Sequence, residues 1–163
     1  MTYEHLFRRV RIGTLEIPNR VAMVPMGTGY GDARGGVTEK LIAYHVERAR
    51  AGIGYNSTEH IAVRPEGRLD GGMLCLYDDS FIEGFARLSE AVHREGGRIV
   101  FQLNHAGRRC VVELPPVCVV VGATDVPQPG PGFKVPRPLS SDDMEEISEA
   151  WVQAAHRART AGA

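Results

Sequence analysis

The sequence has 163 residues, of which 43% are hydrophobic and 24% are charged, and its formal net charge at pH 7 is −1. This length allows one ordinary domain with a core, but most complete eight-stranded α/β barrels need about 200 residues or more. Basic and acidic residues are interspersed, which argues against a nucleic-acid partner and against a polybasic membrane patch.

The cellular compartment can be predicted from the amino terminus, the apolar runs and the cysteines. The amino terminus lacks a secretory pattern and no apolar run approaches a membrane span, so we expect a cytoplasmic protein without a membrane partner. The cysteines, which form no CxxC pair and are odd in number, favour a reducing compartment; they are Cys75, Cys110 and Cys118.

We predict no metal site, because Glu59 and His60 have no HExxH or HxH spacing around them. A metal hydrolase that uses these two residues with His105 therefore has no support.

The amino-terminal part of the chain predicts a hairpin, a strand and a glycine-rich loop. Apolar residues alternate around Gly13 within residues 1–20, which is typical of a hairpin. Residues 20–24 predict a buried strand that ends at Pro25, since proline cannot donate to a sheet ladder. The loop that follows contains three glycines, which let a ligand approach backbone N–H groups closely, although such a loop can also be a simple turn.

Two predicted helices flank the next strand. Thr38 can cap a helix that ends near Arg50, and residues 53–59 then predict a strand whose polarity rises toward its carboxyl end. Residues 64–77 have no periodic pattern and predict a connector. A capping box over residues 80–83 begins the second helix.

The stretch from Ile99 to Arg109 runs from an apolar strand directly into polar and basic residues. Residues 99–103 predict a strand buried on both faces, as in a parallel sheet. Gln102 lies inside this strand, where both ends of its carboxamide need hydrogen-bond partners. A neighbouring backbone group or a ligand can supply them, and this stretch alone does not decide between the two.

The remaining sequence predicts a long loop and a last helix. Residues 104–140 are rich in proline and glycine, and we interpret them as a loop above the sheet with room for a short strand at 117–121. Ser140 and Asp143 form a capping box that begins a helix ending at Gly162. The apolar positions of this helix share one face: Met144, Ile147, Trp151, Ala154, Ala155 and Ala158.

The alternation of strands and helices predicts right-handed βαβ units, with a parallel sheet and helices outside it. Ligands of such folds bind at the carboxyl ends of the strands. Three predicted strand ends are polar or glycine-rich, at residues 25–28, 58–60 and 102–105, and their convergence predicts one shared site. No GxGxxG, Walker or GxSxG motif supports a Rossmann dinucleotide site, a P-loop or an esterase.

At these strand ends the sequence resembles the Old Yellow Enzyme family, in the bacterial branch that includes 2,4-dienoyl-CoA reductases. Residues 102–108, QLNHAGR, match the family's QLxHxGR signature, which is the most specific of the shared motifs. Residues 24–26 resemble its APM segment, and residues 48–59 resemble its RA-GGVGLIITE segment. The resemblance runs through nearly the whole chain.

The resemblance implies an α/β fold, as the amino-terminal portion of an incomplete (β/α)8 TIM barrel with about three to four βα units. It assigns residues 1–163 to one partial FMN-binding domain, with the hairpin at 1–20 and the long loop at 104–140. The implied cofactor is FMN, which NAD(P)H reduces. The reduced flavin then reduces a small-molecule substrate, an activated alkene or an enoyl compound.

The resemblance also implies a cofactor site. Backbone groups at residues 24–27 and residue 60 are expected near the isoalloxazine, and Gln102 is expected at its pyrimidine edge. The cofactor-binding residues predicted in this way are Val24, Pro25, Met26, Gly27, His60 and Gln102. No catalytic residue is predicted, because the residues expected from the family lie beyond the end of this sequence.

Three departures from the family pattern matter for function. Gly27 stands where many relatives carry a Thr or Cys, and His60 stands where a small residue is common. The sequence also ends where the fourth barrel strand is expected, so the resemblance implies a truncated form of an FMN-dependent oxidoreductase. The alternative is a catalytically inactive half-barrel fragment that acts as a binding or assembly module. A homo-oligomer is compatible with either interpretation.

Overall fold

The structure is a computed structural model that describes residues 3–111 and 119–163. Its helices in these ranges are α1 (Glu39–Arg50), α2 (Ile82–Arg94) and α3 (Ser141–Thr160). Its strands are β1 (Val10–Ile12), β2 (Leu15–Ile17), β3 (Ala22–Met23), β4 (Tyr55–Ala62), β5 (Leu74–Cys75), β6 (Ile99–Asn104), β7 (Val121–Gly122) and β8 (Arg137–Pro138). Short 3-10 turns are formed by Pro65–Gly67, Asp79–Phe81 and Gly107–Arg109. Within the described ranges, no helix combines the length and the apolar character that crossing a membrane requires.

Strands β1 and β2 form an antiparallel hairpin inside the segment for which one is predicted. Val10 lies opposite Ile17 and Ile12 lies opposite Leu15. Gly13 has a φ of +59° at the turn, a left-handed conformation that only glycine adopts without strain. The division of the chain into a hairpin over 1–20, a loop over 104–140 and one partial domain over 1–163 stays a prediction.

Strand β4 lies at the centre of a four-stranded parallel sheet, which confirms the predicted alternation of strands and helices. Near its start, Asn56 pairs with Met23 of β3 and with Ile99 of β6. Near its end, Ile61 pairs with β5 and again with β6. Because β6 occupies one side of β4 throughout, β3 and β5 share the other side. The sheet is open, and the described residues do not close a barrel.

The core lies between this sheet and helices α1 and α2. Its fully buried members include Leu41 from α1, Phe85, Leu88 and Val92 from α2, and Ile61, Leu74 and Leu76 from the sheet side. The predicted cap of α1 is confirmed, because the Thr38 hydroxyl accepts a hydrogen bond from the backbone N–H of Leu41 at 3.2 Å. The same helix buries Leu41, His45 and Ala49, which share one face at helical spacing.

The first two sheet strands differ from their predictions. The sequence predicts a buried strand over residues 20–24, but only Ala22–Met23 is paired, and Val24 is 65% exposed. The prediction is wrong because β3 has a neighbour on one side only in the described part of the chain. Strand β4 extends beyond residue 59 to Ala62, since β5 and β6 continue to pair with it. Glu59 and His60 therefore lie inside the strand and not after its end.

The connector at 64–77 and the start of α2 also differ from the sequence interpretation. The connector contains β5, which pairs with β4 and could not be recognised from two residues of local sequence. The capping box predicted over 80–83 is wrong. The Asp78 carboxylate accepts from the backbone N–H of Ser80 at 2.9 Å, so the cap lies two residues earlier and Ser80 belongs to a 3-10 turn.

Strand β6 is covered on one face. Ile99, Phe101 and Leu103 pack against the helical core, whereas Val100 on the opposite face is 46% exposed. The prediction of burial on both faces is wrong at Val100, because nothing in the described residues covers the sheet at that position. The face that carries Val100 also carries Gln102, because side chains alternate along a strand.

Helix α3 begins at the predicted capping box. Asp143 donates its backbone N–H to the Ser140 hydroxyl at 3.1 Å, and the Asp143 carboxylate accepts from the Ser140 N–H at 2.7 Å. Its expected apolar face is only partly buried: Ala154 and Ala158 are buried, but Met144 and Trp151 are exposed. Of the short strand expected at 117–121, only Val121 is part of a strand, and it pairs with Arg137 of β8. Residues 117 and 118 of this prediction, and so Cys118, lie outside the described residues.

Candidate cofactor site

A cleft of about 190 Å³ lies at the carboxyl-terminal edge of the parallel sheet. The loop after β3 forms one wall, Glu59 and His60 of β4 form the floor, and the connector before β5 closes the far side. Its lining residues are Gly27, Thr28, Gly29, Glu59, His60, Leu69, Asp70, Gly72 and Met73. Two of the three predicted strand ends, at 25–28 and 58–60, therefore converge as expected for a parallel α/β sheet.

Glu59 fixes the loop after β3 to the sheet. Its side chain is buried, and one carboxylate oxygen accepts from the Thr28 hydroxyl at 2.8 Å. The other oxygen accepts from the backbone N–H of Gly29 at 3.2 Å and from that of Thr28. Hydrogen bonds to a charged acceptor are stronger than neutral ones, so these three contacts hold the loop in one position. Local sequence patterns do not reveal this role, because it requires a contact across about thirty residues of chain.

The four predicted cofactor residues of this loop are open to solvent. Val24 is 65% exposed and Met26 is 60% exposed, and Pro25 and Gly27 are exposed as well. A Cβ atom added at Gly27 would meet no other atom within 4 Å. The segment is therefore accessible along residues 24–27, with free space at position 27.

His60 and Gln102 lie opposite each other on neighbouring strands. Residues in register on parallel strands direct their side chains to the same face of the sheet, so both side chains emerge together. The backbone N–H of Gln102 donates to the Thr58 hydroxyl at 3.0 Å, beside a break in the register of β4. Such irregularities turn side chains toward a new direction and are frequent next to binding sites.

Both side chains carry a buried polar atom with no hydrogen-bond partner in the described part of the chain: Nδ1 of His60 and Oε1 of Gln102. A buried polar atom left without a partner costs on the order of 1–3 kcal/mol, and folded proteins rarely leave one unsatisfied. Of the two alternatives for Gln102, a backbone partner for its Oε1 is not found among residues 3–111 and 119–163. An ordered water or a ligand can supply the partner that this atom needs.

His105 does not join this pair. Its Nδ1 accepts from the backbone N–H of Gly107 at 3.1 Å, and its ring packs over Gly67. Burial lowers the pKa of His105, with a further contribution from Arg64, although the nearby Glu66 acts in the opposite direction. Within the described ranges, no three His, Cys, Asp or Glu side chains lie close enough together to hold a metal ion.

Residues 5–163 match the family model described as the NADH:flavin oxidoreductase / NADH oxidase family. The chain belongs to this family. The resemblance to the Old Yellow Enzyme family is thereby confirmed, and the family is FMN-dependent with NAD(P)H as the reductant.

Three relatives illustrate the match to the NADH:flavin oxidoreductase family. The chain is 39% identical over 160 residues to an NADH oxidase of Thermoanaerobacter brockii, covering 98% of this chain and 24% of that protein. It is 32% identical over 161 residues to an NADPH dehydrogenase of Bacillus velezensis, covering 96% of this chain and 45% of that protein. The structure of morphinone reductase in complex with tetrahydroNAD superposes with a TM-score of 0.86 at 28% identity, covering 96% of this chain and 47% of that one. The chain thus spans between about a quarter and a half of these relatives.

Proposed function

We propose that this chain forms the amino-terminal part of the flavin site of an FMN-dependent NAD(P)H oxidoreductase of the ene-reductase type. The observation that carries the proposal is the pair of buried, unpartnered polar atoms on His60 and Gln102, which lie in register beside the glycine loop. A flavin's pyrimidine edge alternates hydrogen-bond donors and acceptors, and a carboxamide can answer both kinds. The residues present therefore fit the cofactor that the family uses.

Each part of the site has a role in this proposal. Gln102 and His60 hold the pyrimidine edge, and the exposed segment of residues 24–27 lies against the ring system. Glu59 keeps the loop that carries these residues in place. FMN would supply the hydride chemistry, taking a hydride from NAD(P)H and passing it to a small activated alkene or enoyl substrate, while the protein positions the ring.

The Gln102→Leu variant tests the proposal. We expect FMN to bind about 5- to 150-fold more weakly, because a buried hydrogen-bonding group of the flavin loses its partner at a cost of about 1–3 kcal/mol. The measurement is a titration of the purified protein with FMN, followed by quenching of flavin fluorescence. Gln153→Leu on the exposed face of α3 is the matched control and should leave the affinity unchanged. An affinity equal to that of the unsubstituted protein would remove Gln102 from the site.

A second candidate function is a half-barrel that binds a partner without catalysis. In the described residues β6 pairs with β4 on one side only, so the N–H and C=O groups of its other edge are available to another strand. Under this hypothesis a homo-oligomer forms along β6. Failure of the unsubstituted protein to bind FMN, together with association that depends on protein concentration, would favour it. Under either hypothesis we propose no nucleic-acid or membrane partner, because basic and acidic residues are interspersed. We also propose a cytoplasmic location, which the odd number of cysteines without a CxxC pair favours.

The Gly27→Thr variant tests whether position 27 faces the flavin. Because a Cβ atom at this position meets nothing within 4 Å, the fold should tolerate the change to within about 0.5 kcal/mol. The added hydroxyl places a new dipole beside the ring, so the midpoint potential of the bound flavin should differ from that of the unsubstituted protein. Equilibration with a redox dye of known potential measures the midpoint potential of the bound flavin. Identical potentials with full flavin occupancy would show that residue 27 points elsewhere.

A further inference from the structure

We propose that the imidazole of His60 donates a hydrogen bond to a carbonyl of the bound flavin and raises its reduction potential. This inference rests on the proposed function and goes beyond it, because it assigns the tuning of the flavin to a side chain of β4. The starting observation is that the Nδ1 atom of His60 is buried without a partner in the described residues, at a position that lines the cleft beside Gly27.

The register of the sheet places this atom beside that of Gln102. His60 and Gln102 are directly opposite on β4 and β6, so their side chains leave the same face as neighbours. The unpartnered atom of Gln102 is Oε1, which is an acceptor and requires a donor from the ligand. The pyrimidine edge of a flavin has one ring N–H, and a carbonyl flanks it on each side. If Oε1 accepts from the N–H, the neighbouring residue faces a carbonyl and must donate.

An imidazole can meet this requirement. Its Nδ1 carries a proton in one neutral tautomer and in the protonated form, so it can serve as the donor in either state. Reduction of the flavin adds negative charge to the ring and its carbonyls, and a hydrogen bond to a charged acceptor is roughly twice as strong as one to a neutral acceptor. The His60 contact therefore stabilises the reduced flavin more than the oxidised flavin.

The loop after β3 offers no side chain that could do the same at position 27. Gly27 leaves open space where a Thr or Cys side chain would stand. His60 reaches the same cleft from the adjacent strand. In this protein β4 therefore supplies the polar contact to the flavin. A histidine at position 60 makes a polar side chain at position 27 unnecessary.

The midpoint potential of the flavin-loaded protein is the test. We expect His60→Ala to reduce the preference for reduced over oxidised flavin about tenfold, which lowers the potential of a two-electron couple by about 30 mV. His60→Asn keeps an N–H donor at this position and should keep most of the potential. His93→Ala is the matched control, since His93 is exposed at the other end of the sheet, beside Arg98 and Ile99.

The outcomes separate this inference from the proposed function. An unsubstituted protein without flavin contradicts the proposed function and the inference with it. If the His60→Ala variant binds flavin with the same midpoint potential as the unsubstituted protein, the inference alone is contradicted. The inference is also contradicted if His93→Ala shifts the potential as much as His60→Ala does. If the His60→Ala variant loses flavin and the His60→Asn variant retains it, the difference shows that an N–H donor at position 60 is needed. Loss of flavin from both variants would show that the imidazole shape is required, and would overturn the assigned hydrogen bond.

Discussion

Replacing Glu59 with Leu is expected to destabilise the protein by about 2 kcal/mol and to weaken FMN binding at the same time. The carboxylate accepts from the Thr28 hydroxyl and from the N–H groups of Thr28 and Gly29. Leucine fills a similar volume but accepts no hydrogen bond, so these donors lose their partner in a partly buried position. The loop that carries residues 24–27 must then be ordered when the cofactor binds, and that ordering lowers the affinity.

Thermal unfolding measures the first effect. For a chain of this length about 2 kcal/mol corresponds to a fall in Tm of roughly 4–8 °C. Glu59→Gln should be much milder, because its oxygen still accepts from the backbone N–H groups and its amino group can donate to the Thr28 hydroxyl. Glu90→Leu on the exposed face of α2 controls for the general effect of removing a carboxylate. A Tm of Glu59→Leu equal to that of the control would show that the loop is held by other contacts.

The features that the sequence predicted well are those fixed by nearby residues. Thr38 caps α1 and Ser140 caps α3 through hydrogen bonds to residues three positions further along the chain. The buried residues of α2, which include Phe85, Leu88 and Val92, recur at helical spacing and so depend on nearby sequence as well. Gln102 could be predicted as a candidate site residue because an amide inside an apolar strand needs a hydrogen-bond partner, and its role in a site stays a prediction.

The features that the sequence did not predict depend on contacts between distant segments. Strand β5 is two residues long and exists because Ile61 and Ala62 of β4 pair with it. The same pairing extends β4 past His60, so that His60 lies opposite Gln102 and not after the strand end. The role of Glu59 required the loop at 28–29 to fold back over β4. Local periodicity carries no information about such pairings, because they are set by register and not by composition.

Stability is expected to fall steeply below pH 6.5 because of His45. Its side chain is 1% exposed on the inner face of α1, and neither ring nitrogen has a hydrogen-bond partner in the described residues. Burial lowers the pKa of His45 from 6.5 to about 4, and the nearby Arg48 acts in the same direction. Between these two values the unfolded chain binds a proton that the folded chain does not. Stability is therefore fully present above about pH 6.5 and is lost progressively as the pH falls toward 4, by about 3 kcal/mol in total.

The His45→Leu variant isolates this contribution from that of the carboxylates, which also titrate at low pH. Leucine keeps the helix position apolar, and the backbone carbonyl of residue 45 can still accept from the Asn56 side chain, at 3.2 Å in the native protein. Urea unfolding at pH 7.5 and at pH 5 should show a smaller loss for the variant than for the native protein, by about 2 kcal/mol. His156→Leu on the exposed side of α3 should lose as much as the native protein. An equal loss in His45→Leu would mean that the imidazole is already charged in the folded state.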